Sequence, residues 1–239
     1  MGSNRLPGKV LMPFDEDNSI LKIITSKLTE NFKEIPVIIC TSEAQIDTKI
    51  VSFCNENNLT SFRGSEQNVL QRFLDAAAFY NVDIIIRVCA DNPFLSIDFL
   101  NELLTYFYKN QNADYWSFKN AKEIPVIKTH FGFFAEIVTK DALQKVILNT
   151  NDNLYLEHVT NYIYSHPNFK CKLKNLPDYL NEREDLRFTI DDEDDFSILQ
   201  LLYQEHKKNN QDLKKTILYI DENKVFLDKM MNNINKYSK

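Results

Sequence analysis

The sequence lacks features that mark several common classes of protein. It contains no stretch of about 18 consecutive apolar residues, so it predicts no transmembrane helix. Basic residues are not in excess: the formal net charge is −6 at pH 7. This charge argues against a nucleic-acid-binding protein, because such a protein needs a basic face that displaces counterions. Residues 1–7 contain no apolar segment of the kind found in a signal peptide and predict no secretory signal.

Closely spaced cysteines are also missing. Cys40, Cys54, Cys89 and Cys171 form no Cys-x-x-Cys pair, and zinc sites usually need ligands at such short spacing. Cys40 and Cys89 lie in apolar runs, which favours buried structural thiols over metal ligands. Reduced thiols and the lack of a secretory signal lead us to expect a cytoplasmic protein.

Alternating apolar patterns predict an α/β fold. Residues 35–41 and 82–89 are short apolar runs typical of buried parallel strands. Apolar residues recur at helical spacing in residues 18–28, 42–55 and 66–79. Strands that alternate with helices indicate a doubly wound, mostly parallel sheet.

The second half of the sequence has a more mixed pattern. It predicts strands over residues 113–118, 126–138 and 187–190. It predicts helices over residues 98–108, 140–148, 153–164, 196–206 and 224–234. No internal repeat, low-complexity tract or linker interrupts the chain, so we expect a single domain over residues 1–239.

A polar loop near the start of the sequence could bind phosphate. The glycines Gly2 and Gly8 would expose backbone N–H groups, and Arg5 and Lys9 would add two positive charges. The spacing differs from that of a Walker A loop, and Val10 stands where Ser or Thr would bind Mg²⁺. A plain polar tail explains the loop equally well when it is considered alone.

Two acidic clusters follow other predicted strands. Asp91 comes after the strand ending at Cys89, where ligands bind in open α/β sheets, although it could simply form a turn. Asp191 begins an acidic segment, residues 191–195, part of which suits a helix N-terminus. Two carboxylates and a Gly-Lys loop together would hold a triphosphate with Mg²⁺.

These clusters belong to a longer series of segments that resembles a known family. The segments, in chain order, are residues 2–11, 40–42, 62–72, 87–94, 132–136, 157–160 and 187–191, followed by Asp195. They resemble the CMP-sugar synthetases, or acylneuraminate cytidylyltransferase-like proteins, and in particular the spore-coat polysaccharide biosynthesis group. The resemblance implies a nucleotide-diphospho-sugar transferase fold, often dimeric.

The resemblance also implies roles for individual residues. The triphosphate would contact the first loop, namely Gly2, Ser3, Arg5, Gly8 and Lys9, and the base would lie near Thr41, Arg63, Gly64 and Arg72. Asp91 and Asp191 would hold Mg²⁺. The sugar side would be formed by Gly132, Glu136, Glu157 and His158, although helix packing and direct catalysis remain open as alternative roles for His158. Lys9, Arg5 and Asp91 are the expected catalytic residues.

The implied reaction transfers CMP from CTP to a sugar acid or related sugar and releases pyrophosphate, in surface-polysaccharide biosynthesis. In this family a first strand precedes the phosphate loop, and no such strand precedes Met1 here. We therefore expect a sheet that lacks this strand and a natural chain that starts further upstream. The alternatives are a glycosyltransferase of related fold and an inactive, N-terminally truncated fragment.

Overall fold

A computed structural model of the chain describes residues 1–2 and 5–237. The strands in this part of the chain are β1 (Pro13–Asp15), β2 (Asn18–Ser19), β3 (Ile38–Ser42), β4 (Thr60–Gly64), β5 (Ile84–Arg87), β6 (Tyr115–Lys119), β7 (Glu136–Thr139) and β8 (Cys171–Asn175). The α-helices are α1 (Ile20–Asn31), α2 (Thr48–Glu56), α3 (Val69–Phe79), α4 (Ile97–Lys109), α5 (Lys140–Asn149), α6 (Asn153–Glu157), α7 (Asn161–Ser165), α8 (Asp178–Asn181), α9 (Glu193–Lys208), α10 (Leu213–Glu222) and α11 (Lys224–Tyr237). Among the described residues, no helix is long and apolar enough to cross a bilayer.

The larger sheet has the strand order β5-β7-β6-β8. β6 and β8 are parallel, whereas β7 is antiparallel to both of its neighbours, which makes the sheet mixed. β3 and β4 form a separate parallel pair, in which Ile38 lies opposite Thr60 and Ser42 opposite Gly64. A short antiparallel pair, β1 and β2, lies before α1. The predicted α/β architecture is confirmed.

The sheet is interrupted between β3 and β5. In the part of the chain that the structure describes, β3 pairs with β4 alone and β5 pairs with β7 alone. Ile38 of β3 and Ile86 of β5 nevertheless line the same apolar cavities. The described residues place no strand between β3 and β5.

Local capping groups explain where several helices begin. The Asn68 side chain accepts a hydrogen bond from the backbone N–H of Gln71 at 2.8 Å, so α3 begins at Val69 and not at residue 66 as predicted. α2 begins at Thr48, six residues later than predicted. The residues directly before it, Gln45–Asp47, form a 3₁₀ turn instead, in which Asp47 accepts hydrogen bonds from Thr41 and Ser42.

The predicted strand over residues 126–138 is wrong in its first half. Val126–Lys128 forms a single 3₁₀ turn, and a loop follows until β7 begins at Glu136. Gly132 adopts a φ of +62°, which is incompatible with an extended strand. The His130 carbonyl accepts a hydrogen bond from the backbone N–H of Phe188 at 2.8 Å, so the loop packs against a distant segment.

Two further predictions need correction. The helix expected over residues 153–164 is split into α6 and α7. The break at residues 158–160 turns the Thr160 hydroxyl toward Glu136, 3.0 Å from Oε2. Residues 187–190 are not a strand, because their polar groups bond to loops and side chains; the Arg187 backbone N–H, for example, points at Met230 Sδ at 3.5 Å.

Aromatic packing in the main core anchors the two acidic segments. Phe94, three residues after Asp91, and Phe188, three residues before Asp191, are both fully buried. Their rings meet edge to face with centroids 5.0 Å apart, a favourable aromatic geometry. The core therefore brings the two predicted carboxylates to the same region of the protein.

Candidate active site

Lys9 connects the three polar segments predicted from the sequence. Gly8, with a φ of +76°, turns the loop so that Lys9 begins a short 3₁₀ helix. The Lys9 side chain is largely buried, and its Nζ donates to Oδ2 of Asp91 at 2.6 Å. The same Nζ donates to the carbonyl of Ile190, the residue before Asp191. One ammonium group thus bridges the phosphate loop and both acidic segments.

Asp191 is held by two arginines. Nη2 of Arg5 lies 2.9 Å from Oδ1 of Asp191, and Nη2 of Arg187 lies 2.7 Å from Oδ2. Arg187 is only 1% exposed and also bonds to both carboxylate oxygens of Asp195, at 2.6 and 2.7 Å. Burial opposes the charge on Arg187, but the hydrogen bonds and charge of Asp195 outweigh it, so the pKa of the guanidinium is raised.

Arg187 and Asp195 were not predicted as site residues. Asp195 accepts a hydrogen bond from the backbone N–H of Asp191 at 2.9 Å and another from Asn233 Nδ2 at 2.8 Å. It therefore orients the backbone that carries Asp191. Two sequence signals marked Arg187 and Asp195: they belong to the segments that resemble the family, and they lie four residues before and after Asp191. Neither signal reveals that they pair.

Lys27 supports the segment that follows Asp91. It lies on α1, and its Nζ donates to the carbonyls of Pro93 at 3.1 Å and Leu95 at 3.4 Å. Burial lowers the pKa of Lys27 to about 8. The ammonium group gives these two carbonyls a hydrogen-bond donor and ties this loop to α1.

Asp91 and Asp191 line one cavity of about 460 Å³. The predicted sugar-side residues Gly132, Glu136 and His158 line it as well. The remaining wall includes the polar or basic side chains of Arg87, Cys89, Asn92, Lys128, Thr129, His130, Thr160, Tyr164 and Thr189. The volume lies in the range of small-molecule sites, and one of the two carboxylates, that of Asp91, pairs with Lys9.

Glu136 is buried in the cavity wall and forms hydrogen bonds with three protein side chains. It is 3% exposed and pairs with Arg87 Nη1. The Tyr115 hydroxyl donates to Oε2 at 2.5 Å, and the Thr160 hydroxyl lies 3.0 Å from the same atom. Burial first, and then the Glu136 charge, raise the pKa of Tyr115 well above its ordinary value. Glu136 therefore orients Arg87. Of the two side chains, that of Arg87 is the more exposed, at 18% against 3% for Glu136.

The other predicted sugar-side residues differ in position. His158 is exposed and lines the cavity, whereas Glu157 at the end of α6 is exposed and does not line it. A Cβ on Gly132 would lie 2.6 Å from the carbonyl oxygen of Phe188, so only glycine fits there.

His130 also lines the cavity and contacts Arg187. Its Nδ1 accepts a hydrogen bond from Arg187 Nη1 at 2.8 Å. Burial, followed by the Arg187 charge, lowers the pKa of His130.

The predicted base-side residues gather at the carboxyl ends of β3 and β4. Thr41 donates to Oδ2 of Asp47 at 2.8 Å, and Arg63 donates to the carbonyls of Ser42 and Ala44. Burial opposes the Asp47 charge, but hydrogen bonds from Ser42 and Thr41 outweigh it and lower the pKa to about 2.

Arg72 lies against Gly64 in this base-side group. A Cβ on Gly64 would approach Arg72 Cγ to 3.0 Å, so glycine permits this packing. The Arg72 Nε is buried without a hydrogen-bond partner, and burial lowers the pKa of the guanidinium. An unpartnered donor at this point is suited to an acceptor on a ligand.

The described part of the phosphate loop leaves open space beside Gly2. Gly2 is exposed, and a Cβ there would meet nothing within 4 Å. The Gly8 N–H bonds to the Met1 carbonyl at 3.3 Å and closes the loop on itself. Ser3, the remaining predicted loop residue, lies outside the described residues.

A divalent cation would find two carboxylates at this site. Among the described residues, no group of three or more His, Cys, Asp or Glu side chains is arranged for metal binding. Mg²⁺ is commonly held by only one or two carboxylates together with substrate phosphates, and Asp91 and Asp191 on one cavity fit that donor set.

Comparison with known proteins gives relatives along nearly the whole chain. An uncharacterized protein of Methanocaldococcus jannaschii is 39% identical over 223 residues, covering 93% of this chain and 87% of the relative. The spore coat polysaccharide biosynthesis protein SpsF of Bacillus subtilis is 30% identical over 210 residues, covering 85% and 83%.

Solved structures show the same fold. A cytidylyltransferase from Leptospira borgpetersenii aligns with a TM-score of 0.81 at 28% identity, over 95% of this chain and 92% of that one. A CMP:2-keto-3-deoxy-manno-octonic acid synthetase complexed with CTP aligns with a TM-score of 0.63 at 11% identity, over 86% and 95%. The cytidylyltransferase family model matches residues 1–228. The chain belongs to the cytidylyltransferase family.

Proposed function

We propose that this protein transfers CMP from CTP to a sugar acid or a related sugar and releases pyrophosphate. The observation that carries the proposal is the contact of Lys9 with both Asp91 and the segment before Asp191, beside a cavity of sugar size. Membership of the cytidylyltransferase family supports nucleotidyl transfer. The likeness to a spore coat polysaccharide protein supports a sugar acceptor and a role in surface-polysaccharide biosynthesis.

The cationic residues next to the carboxylates would bind the triphosphate. Lys9 pairs with Asp91, and Arg5 pairs with Asp191. When a nucleotide binds, each cation would give up part of this contact and bind phosphate oxygens instead. In the reaction, an oxygen of the sugar attacks the α-phosphorus, and the bond from that phosphorus to the pyrophosphate oxygen breaks. Lys9 and Arg5 would stabilise the negative charge that develops on pyrophosphate.

Asp91 and Asp191 would hold Mg²⁺ next to this triphosphate. When bound, Mg²⁺ would supply neutralisation of the phosphate charge. Arg187 and Asp195 hold Asp191 in position through hydrogen bonds to its side chain and to its backbone N–H, respectively. No serine or cysteine nucleophile is required, because positioning and electrostatic stabilisation provide the catalysis in direct transfer.

An acidic sugar could bind basic side chains of the cavity wall. Arg87 and Lys128 line the cavity, although Asp91, Glu136 and Asp191 do as well, and Glu136 fixes Arg87 from the buried side. A sugar carboxylate could bind a guanidinium or ammonium group there. The base would lie near Thr41, Arg63, Gly64 and Arg72 at the ends of the neighbouring strands. A homodimer and a cytoplasmic location are further parts of the proposal, taken from the family resemblance.

The proposal is tested by pyrophosphate release from each of CTP, UTP, GTP and ATP with Mg²⁺ and a panel of sugar acids. We expect release with CTP and one class of acid, together with a product whose mass equals sugar plus CMP minus water. Release of a nucleoside diphosphate from a nucleotide sugar would instead identify a glycosyltransferase. No product from any nucleotide and acid pair would contradict the proposed reaction.

A further inference from the structure

Three residues of α11 lie on one face of the helix and contact the segment that carries Asp191. They recur at every third position of the helix: Met230, Asn233 and Lys236. Met230 Sδ lies 3.5 Å from the backbone nitrogen of Arg187. At the other end of this face, Lys236 Nζ donates to Oδ2 of Asp192 at 2.7 Å. The helix α11 therefore packs along the chain from Arg187 to Asp192.

Asn233 is the central residue of this face, and its side chain is buried. Its Nδ2 donates to Oδ1 of Asp195 at 2.8 Å. The Asp195 carboxylate is buried too and accepts further hydrogen bonds. Oδ1 accepts from Nε of Arg187, and Oδ2 accepts from Nη2 of Arg187 and from the backbone N–H of Asp191. Asn233 therefore supplies one of the two donors on Oδ1.

These donors fix the orientation of the Asp195 carboxylate. Hydrogen bonds to an ionised acceptor are short and strong, and a buried acceptor that loses a donor costs free energy. Because asparagine is neutral, it adds a donor without disturbing the charge balance between Arg187 and Asp195. The orientation matters for Asp191, since Oδ2 of Asp195 holds its backbone N–H and Arg187 holds its side chain. Asn233 is thereby connected to Asp191 through one buried carboxylate.

Asn233 is not among the described residues that line the cavity, so any effect on a ligand is indirect. It also lies beyond residue 228, where the match to the family ends. We propose that Asn233 is a positioning residue for the carboxylate of Asp191 and acts through Asp195. This inference rests on the proposed function, in which Asp191 holds Mg²⁺ beside the triphosphate. Residues that orient a metal ligand typically change metal affinity or activity by about 10–100-fold when they are replaced.

The test compares Asn233→Leu with Asn232→Leu. Leucine is close to asparagine in size but cannot donate a hydrogen bond, and Asn232 is the exposed neighbour on the same helix. The first readout is hydrogen exchange of the Asp191 backbone N–H, measured by NMR without nucleotide or metal. Exchange at Val146, buried on α5 in a different core cluster, reports on the stability of the whole fold. The second readout is the Mg²⁺ concentration that gives half-maximal pyrophosphate release.

We expect Asn233→Leu to speed exchange at Asp191 by about tenfold or more, while exchange at Val146 changes much less. The Mg²⁺ requirement should rise by about tenfold, because Asp191 is held less well. Asn233→Ala should change both readouts in the same direction but less, since a water molecule can take the place of the amide. The alanine variant decides the test if the leucine variant does not fold. Asn232→Leu should match the wild type.

Wild-type exchange at Asp191 in the Asn233 variants would overturn the proposal. Equal acceleration at Asp191 and Val146 would also overturn it, because it would indicate a role in overall stability alone. Faster exchange at Asp191 with an unchanged Mg²⁺ requirement would overturn the link to the cation. If the wild type releases no pyrophosphate, the proposed reaction fails, whereas the exchange readout still decides whether Asn233 positions Asp191.

Discussion

Nζ of Lys9 lies 2.6 Å from Oδ2 of Asp91, and the two residues are separated by 82 positions in the sequence. The pair is partly accessible, with side chains that are 11% and 34% exposed. Asp91 lines the cavity, and its carboxylate could hold a cation beside phosphate, whereas the Lys9 ammonium could bind phosphate oxygens directly. This contact is the centre of the proposed triphosphate site.

Replacing Asp91 by Asn should remove most of the activity and little of the stability. The amide keeps the shape of the side chain but removes the charge that would hold a cation near the phosphates. We expect turnover, measured as pyrophosphate release, to fall by about 10²-fold or more. The melting temperature should change by only a few degrees, since Asp91 is partly exposed.

Asp83→Asn provides the matched control for this variant. Asp83 forms an ion pair with Lys140, and its side chain is 83% exposed and outside the cavity. The control should retain wild-type turnover. Wild-type turnover in Asp91→Asn would remove Asp91 from the catalytic site.

Gly132→Ala should destabilise the protein. The added Cβ would lie 2.6 Å from the Phe188 carbonyl oxygen, and the φ of +62° is unfavourable for alanine. We expect the free energy of unfolding, measured with urea, to fall by about 2 kcal/mol or more. Gly2→Ala is the control, because nothing lies within 4 Å of a Cβ there. Equal stability of the two variants would contradict the close approach of Gly132 to Phe188.

Glu136→Gln should leave the Arg87 charge without its buried partner. Glu136 is 3% exposed and Arg87 is 18% exposed, so solvent can compensate for only part of the loss. Breaking such a pair should lower the free energy of unfolding by about 2–3 kcal/mol. Asp83→Asn breaks an exposed pair and should lower it by less than about 1 kcal/mol. If urea melts show similar losses for both, the assigned network around Glu136 is incorrect.

The pH dependence of stability should reveal the buried His206. Burial, followed by the Lys27 charge, lowers the pKa of His206 to about 3, and its Nδ1 lies 2.7 Å from the Thr216 hydroxyl. An unfolded histidine has a pKa near 6.5. Between these values the unfolded chain binds more protons, so the free energy of unfolding falls as the pH falls.

The expected loss from His206 between pH 7 and pH 5 is at most about 2 kcal/mol. Urea melts at both pH values should show that His206→Gln loses less stability over this interval than the wild type. An unchanged dependence in His206→Gln would show that this histidine is not held neutral by burial.

The elements that were predicted well are those specified by local periodicity. α4 was expected over residues 98–108 and spans Ile97–Lys109, because its apolar residues face one side throughout and Ser96 caps it. α10 has a similar pattern but was missed among the polar residues near the C-terminus. β8 alternates lysines with other residues and lacks the apolar run that identified β5, so it was missed as well.

Some residues of the candidate site could be predicted from the ends of strands and from charge. Asp91 could be placed at the edge of the sheet because it follows β5. Asp191 and Lys9 could be grouped with it only through their charges and the family resemblance, because residues 187–190 are not a strand. The roles of Arg187 and of Glu136 depend on partners that only the tertiary fold brings near. The loop around Gly132 was mistaken for a strand for the same reason, since its contact is with Phe188, 56 positions later.

The most direct test of the central claim, a cytidine nucleotide site at Lys9, Asp91 and Asp191, is the stability of the protein with Mg²⁺ and each of CTP, UTP, GTP and ATP. A nucleotide at 100 times its dissociation constant should stabilise the folded state by about 2.7 kcal/mol. The account predicts a thermal shift that is largest with CTP. No shift with any nucleotide, or equal shifts with all four, would contradict it.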